Sequence, residues 1–111
     1  MVQALNSYSR FLGDSFRVTD PVDPAGAVSL NTIADRLARR LTGLLVRGDD
    51  GRRVVFGDNE YFQTDPHWRD LVPFHEYFHG DTGRGLGASH QTGWTATVAL
   101  LLQYRGNQRY D

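Results

Sequence analysis

The sequence predicts an all-α protein with three helices and one long irregular connection, and three observations carry that reading. Leu30, Ile33, Leu37, Leu41 and Leu44 form one apolar stripe at helical spacing, while Asp35, Arg36, Arg39 and Arg40 fall off it. Val2, Leu5, Tyr8 and Leu12 recur with a similar period. The run Trp94-Thr95-Ala96-Thr97-Val98-Ala99-Leu100-Leu101-Leu102 is apolar on nearly every face, the pattern of a helix buried all round.

Taken in order, the first helix is expected to stop at Gly13, a residue suited to a C-terminal cap. The segment Thr19-Asp20-Pro21-Val22-Asp23-Pro24-Ala25-Gly26 follows, and its two Asp-Pro pairs forbid a helix there. Ser29 is placed to N-cap the second helix. Asp50-Gly51 is a common hairpin turn, although Leu44-Leu45-Val46 more naturally finishes that helix. Residues 57–92 hold all four histidines among aromatics and glycines. Such polar and aromatic density on irregular backbone suits a binding surface, because loops can aim side chains at a ligand. Asp65, before Pro66, is read as the cap of a short helical turn. Thr92 would cap the last helix.

A chain of 111 residues is at most one domain. Twelve basic and thirteen acidic residues leave a net charge of −1, which gives no footprint for nucleic acid, a membrane surface or a polyanion. With no cysteine there are no disulfides, thiolate metal sites or cysteine nucleophiles. Neither a secretory signal nor a membrane span is visible, so the expectation is a soluble, cytoplasmic chain. The last helix is too apolar for two neighbours, which suggests part of a larger helical assembly or self-association.

Chemistry concentrates in His75-Glu76-Tyr77-Phe78-His79, which fits the H-E-x-x-H pattern of zinc peptidases. There a helix puts two histidines one turn apart to hold zinc, and the glutamate activates metal-bound water. Pro73 and Gly80 leave little room for such a helix, and no glutamate follows Glu76 to complete the ligands. Among later residues only His90, Asp81 or Asp111 could serve. No metal or other cofactor is therefore expected, and the peptidase stays a minor alternative. The run Gly83-Arg84-Gly85-Leu86-Gly87 lacks the ending of a phosphate loop, and reads better as backbone passing close to something.

Two stretches carry a resemblance. Phe62-Gln63-Thr64-Asp65-Pro66-His67-Trp68-Arg69-Asp70 is one. The other runs from Glu76-Tyr77-Phe78-His79-Gly80-Asp81-Thr82-Gly83 through the glycine run to His90-Gln91-Thr92-Gly93-Trp94-Thr95-Ala96. Together they resemble the end of bacterial proteins related to glycoside hydrolase family 63, a group that includes processing α-glucosidases and mannosylglycerate and glucosylglycerate hydrolases. The likeness is specific over residues 62–96 and loose elsewhere. His75 departs from it, since relatives usually carry an aromatic residue there.

The resemblance implies a single partial domain, residues 1–111, forming the C-terminal fragment of an (α/α)6 barrel, its long loop region leaving room for short β segments. It implies an inverting α-glycosidase, in which an acid protonates the leaving oxygen and a base deprotonates water, the carboxyls standing roughly 6.5–9.5 Å apart. The family's base maps onto Glu76, whereas its acid lies in a region with no counterpart here, so the chain alone should be inactive. His90 and Gln91 would reach hydroxyls of a carbohydrate of the α-glucoside or α-mannoside type. The remainder of the barrel, or a second copy, would be the partner. A non-catalytic helical module that binds carbohydrate or serves assembly is the alternative.

Overall fold

A computed structural model of the chain describes residues 1–90 and 93–107. Two compact units divide it, Met1–Arg40 and a second beginning at Leu41.

In the first unit, helix α1 spans Val2–Leu12 and ends at Gly13, whose N–H donates to the Ser9 carbonyl at 3.0 Å. Val2 and Asn6 are buried and Leu5 and Ser9 half-buried, one stripe at about 100° per residue. Tyr8 and Leu12 lag behind that stripe, and Tyr8 is 61% exposed. The apolar set read from the sequence is therefore offset from the face that packs.

Strands β1 (Val18–Thr19) and β2 (Ala27–Val28) pair antiparallel, Val18 with Val28 and Thr19 with Ala27. The Asp-Pro segment closes this hairpin. Asp20 Oδ1 accepts the Val22 N–H at 2.9 Å, Asp23 Oδ1 accepts that of Ala25 at 3.1 Å, and the Asp20 N–H donates to the Gly26 carbonyl. Each aspartate satisfies backbone that proline leaves without a ladder.

Helix α2 spans Leu30–Gly43 and is capped by Ser29, whose Oγ accepts the Thr32 N–H at 3.1 Å. Arg36 donates to both Asp20 oxygens, at 2.8 and 2.7 Å, and so clamps the hairpin to the helix. Ala34 and Ala38 are fully buried, Ile33 and Leu37 only partly. The small residues thus form the centre of the packed face.

The second unit begins at the end of α2. The helix stops at Gly43, and Leu44-Leu45-Val46 folds back in turns instead of extending it. A tight hairpin over Asp49-Asp50-Gly51 follows, where Arg47 bridges Arg53. Residues Val54–Phe56 make one 3-10 turn, and helix α3 spans Glu60–Thr64, with Asn59 as its cap. Asp65 Oδ1 accepts the N–H groups of His67 and Trp68, the capped turn that the sequence suggests. Strands β3 (Tyr77–Phe78) and β4 (Gly85–Leu86) pair antiparallel. A 3-10 turn over Thr95–Thr97 leads into helix α4, Val98–Asn107. The expected cap at Thr92 lies outside the described residues.

Leu45, Val55 and Phe56 form the core of this unit, with Leu44, Phe62, Val72, Phe78 and Val98 against them. Phe62 stacks on Phe56 at 5.6 Å and meets the Trp68 edge at 5.7 Å. Gln63, 6% exposed, holds the 3-10 turn in place. Its amide accepts the Arg53 N–H and donates to the carbonyls of Arg53 and Gly57, each at 3.0 Å.

Among the described residues, four helices and two small antiparallel sheets correct the expected fold class. The chain is not an all-α fragment of an (α/α)6 barrel. Residues read as loop spend their backbone hydrogen bonds in hairpins, and α3 has only five residues, far from a barrel helix. Nor is α4 buried all round: Leu100 is 57% exposed, and so is Trp94 at 89% just before it. No helix among the described residues is long and apolar enough to cross a membrane.

Two outcomes follow from these contacts. Removing the Gln63 amide orphans the Arg53 N–H and the Gly57 carbonyl, while the Arg53 carbonyl keeps the Phe56 N–H at 3.2 Å. Gln63→Ala is expected to lower stability by about 2–3 kcal/mol in urea titration. The Arg36 guanidinium, chiefly through its hydrogen bond, holds the Asp20 carboxyl below its ordinary range. Asp20 then contributes stability above the ordinary carboxyl pKa of about 3.9, and that contribution is lost as pH falls through the lower folded value. In acid titrations followed by circular dichroism, Asp20→Asn should be less stable at neutral pH and flatter across that window.

Candidate functional site

The site is built on the β3–β4 hairpin. Its turn is held by His79, whose Nδ1 accepts the N–H groups of Asp81 and Thr82 at 3.2 and 3.3 Å. Beyond the paired strands, the Glu76 N–H donates to the Ala88 carbonyl at 2.9 Å, and Phe74 bridges His90. The hairpin therefore lines up 74–78 against 85–90.

Two glycines decide what this pairing leaves room for. Gly85 lies flat under the His75 ring, and a Cβ there would overlap the imidazole carbons Cδ2 and Cγ. Gly87 has φ +69°, and a Cβ would fall 2.7 Å from both Glu76 Oε2 and Tyr77 Cε1. The backbone can approach these side chains only because it carries none of its own. Glu76 Oε2 then sits 3.4 Å from the Ala88 N–H, a long contact. Glu76 is exposed, and no ion pair to Arg69 or Arg84 forms among the described residues. One carboxylate oxygen thus carries no partner among the described residues.

His75 is half-buried, its Nδ1 buried without a partner, and its carbonyl accepts the Thr95 hydroxyl. Burial pushes the imidazole pKa down from its ordinary 6.5, with the Leu86 backbone pulling weakly the other way.

The zinc-peptidase geometry is absent. Glu76 is a bend and Tyr77–Phe78 is strand, so no helical turn stacks His75 and His79 on one face. His75 packs on Gly85, while His79 is engaged by its own turn. No cluster of three metal-ligating side chains occurs among the described residues.

Beside the hairpin is an open cleft of about 590 Å³. Val55, Phe56, Phe62 and Pro73 give it apolar walls, and Asp58, Asn59, His75, Arg84 and Ser89 its polar groups. Gly85 and Gly87 line it too, so Gly87 borders the cleft on one hand and the Glu76 carboxylate on the other. Glu76 and His90 are not lining residues; His90 is exposed on the bridge to Phe74. Gln91 lies outside the described residues.

Sequence reasoning did not single out Asp58, Asn59 or Ser89. Gly57-Asp58-Asn59 reads as a helix start, and Asn59 is indeed that cap. Nothing local marks Asp58 as more than a turn residue. The signal is tertiary: the Arg84 stem packs on Gly57, where a Cβ would fall 2.6 Å from Arg84 Cδ, and this brings hairpin and turn together.

No family model matches the chain, and no solved structure matches it. It is similar to the uncharacterized protein YMR196W of Saccharomyces cerevisiae, at 46% identity over 101 residues. That match covers 89% of this chain and only 9% of the yeast protein, so the chain spans a small part of its relative's length.

The glycine contacts give one expected outcome and the His75 ring another. Gly87→Ala must place a Cβ at positive φ against Glu76 and Tyr77, which should cost about 1–3 kcal/mol. Gly93→Ala, where no atom of the described residues beyond its chain neighbours lies within 4 Å, should be near neutral in the same urea titrations. Because the unfolded chain binds the His75 proton more readily, this ring lowers stability as pH falls below about 6.5 toward its folded pKa. His75→Phe should flatten the melting temperature against pH there.

Proposed function

We propose that this chain carries the general base of an inverting α-glycoside hydrolase, with Glu76 as that base and the acid supplied from outside these 111 residues. The support is a carboxylate held against glycine backbone with one oxygen free and open to water. The resemblance of residues 62–96 to the late segment of family 63 enzymes points to the same residue.

In such a reaction Glu76 takes a proton from water as the water oxygen bonds to the anomeric carbon. The glycosidic C–O bond breaks, and its electron pair leaves with the aglycone oxygen, which receives a proton from the acid. One carboxylate cannot act on both faces of the sugar. Ordinary α-glycosides should therefore resist this chain.

A substrate that needs no acid isolates the base. Fluoride departs from an α-glucosyl or α-mannosyl fluoride with the C–F electron pair and without protonation. The purified chain should release fluoride from one of them, with the β-anomer as first product by NMR. Glu76→Gln should lower that rate by about 10²-fold or more. Fluoride release unchanged in Glu76→Gln, or none above the spontaneous rate, overturns the assignment and leaves a non-catalytic role.

A further inference from the structure

The second unit pairs its charges closely. Arg52 meets Glu60 at 2.6 Å, and Arg47 meets Asp70 at 2.8 Å, with Arg53 and Arg69 at 3.7 and 3.6 Å from the same carboxylate. Arg105 donates to the Thr42 hydroxyl at 2.8 Å. Arg84 stands apart: among the described residues its guanidinium has no hydrogen bond or ion pair, although its stem is packed on Gly57. Asp58 likewise makes no hydrogen bond or ion pair there. Both line the cleft, and they are not paired with each other.

We infer that the cleft is a recognition site for an uncharged polyhydroxylated ring, with Asp58 and Arg84 as its specificity-determining contacts. A carboxylate only accepts hydrogen bonds and a guanidinium only donates them, whereas a sugar hydroxyl does both. Two opposite charges that line one cleft without a hydrogen bond or close ion pair among the described residues, Asp58 acting on Arg52 only through its field, suit a ligand with several hydroxyls. The two charges cancel, so the pair favours no net-charged ligand. Ser89 and the free amide N–H groups of Asn59, whose Oδ1 is used by the Phe62 N–H, extend the hydroxyl-bonding edge. Phe56 and Phe62 supply an apolar wall for the C–H face of a ring. The volume lies within the usual range of about 300–1,000 Å³ for small-ligand sites.

This inference shares the carbohydrate reading above but not the role of Glu76, so the two fail separately. The test is an NMR titration of the labelled chain with methyl α-D-glucopyranoside and methyl α-D-mannopyranoside. D-glucuronate and alanine serve as anionic and zwitterionic controls. At least one neutral glycoside should shift the Asp58, Asn59 and Ser89 amides and the Arg84 side-chain signals saturably. Asp58→Asn and Arg84→Met should each weaken that binding about fivefold or more. Asp58 is exposed, so Asp58→Asn should leave the melting temperature in place. No saturable shift from either glycoside overturns the inference. So does equal binding by Asp58→Asn and Arg84→Met, or tighter binding of glucuronate or alanine.

Discussion

The arrangement around Glu76 depends on backbone that comes closer than any side chain would allow. Gly85 passes under the His75 imidazole and Gly87 passes under the Glu76 carboxylate and the Tyr77 ring. Hydrogen bonds from β3 to β4, and from Glu76 to Ala88, set the register that makes these approaches coincide. A one-residue slip would turn the facing side chains to the opposite side of the hairpin. Cleft wall and carboxylate therefore share one short piece of glycine backbone, and the chemistry proposed for Glu76 requires that piece to stay bare.

Much of the local structure was legible in the sequence. The helix start at Ser29, the Asp-Pro turn and the Asp65 cap follow from side chains bonding their own backbone, and the stop at Gly13 follows from its positive φ; none of these needs tertiary information. Misreadings began where packing decides. Tyr8 and Leu12 look like part of the α1 stripe, yet Asn6 and Ser9 lie nearer its packed centre. Strands of two residues have no period to detect, so Val18–Thr19 and Tyr77–Phe78 were invisible to pattern. With the hairpins hidden, helical stripes dominated and drew the reading toward all-α, while the barrel came from the resemblance alone.

The candidate site divides in the same way. Glu76 stood out through the H-E-x-x-H match and the resemblance, and the glycine run was read as close backbone approach, as the structure has it. Asp58 and Arg84 carry no sequence signal, because an uncommitted charge is recognised only when every nearby partner is known. The H-E-x-x-H pattern shows the converse. Five matching letters depend on helical spacing, and strand geometry over Tyr77–Phe78 cancels the match.

The most direct measurement is the set of proton–proton nuclear Overhauser effects across the hairpin in the labelled chain. The account predicts strong cross-peaks from Gly85 Hα to His75 Hδ2, and from Gly87 Hα to Tyr77 Hε and the Glu76 side chain. If those cross-peaks are missing while β3 and β4 remain paired, the glycine backbone does not hold Glu76, and the account is contradicted.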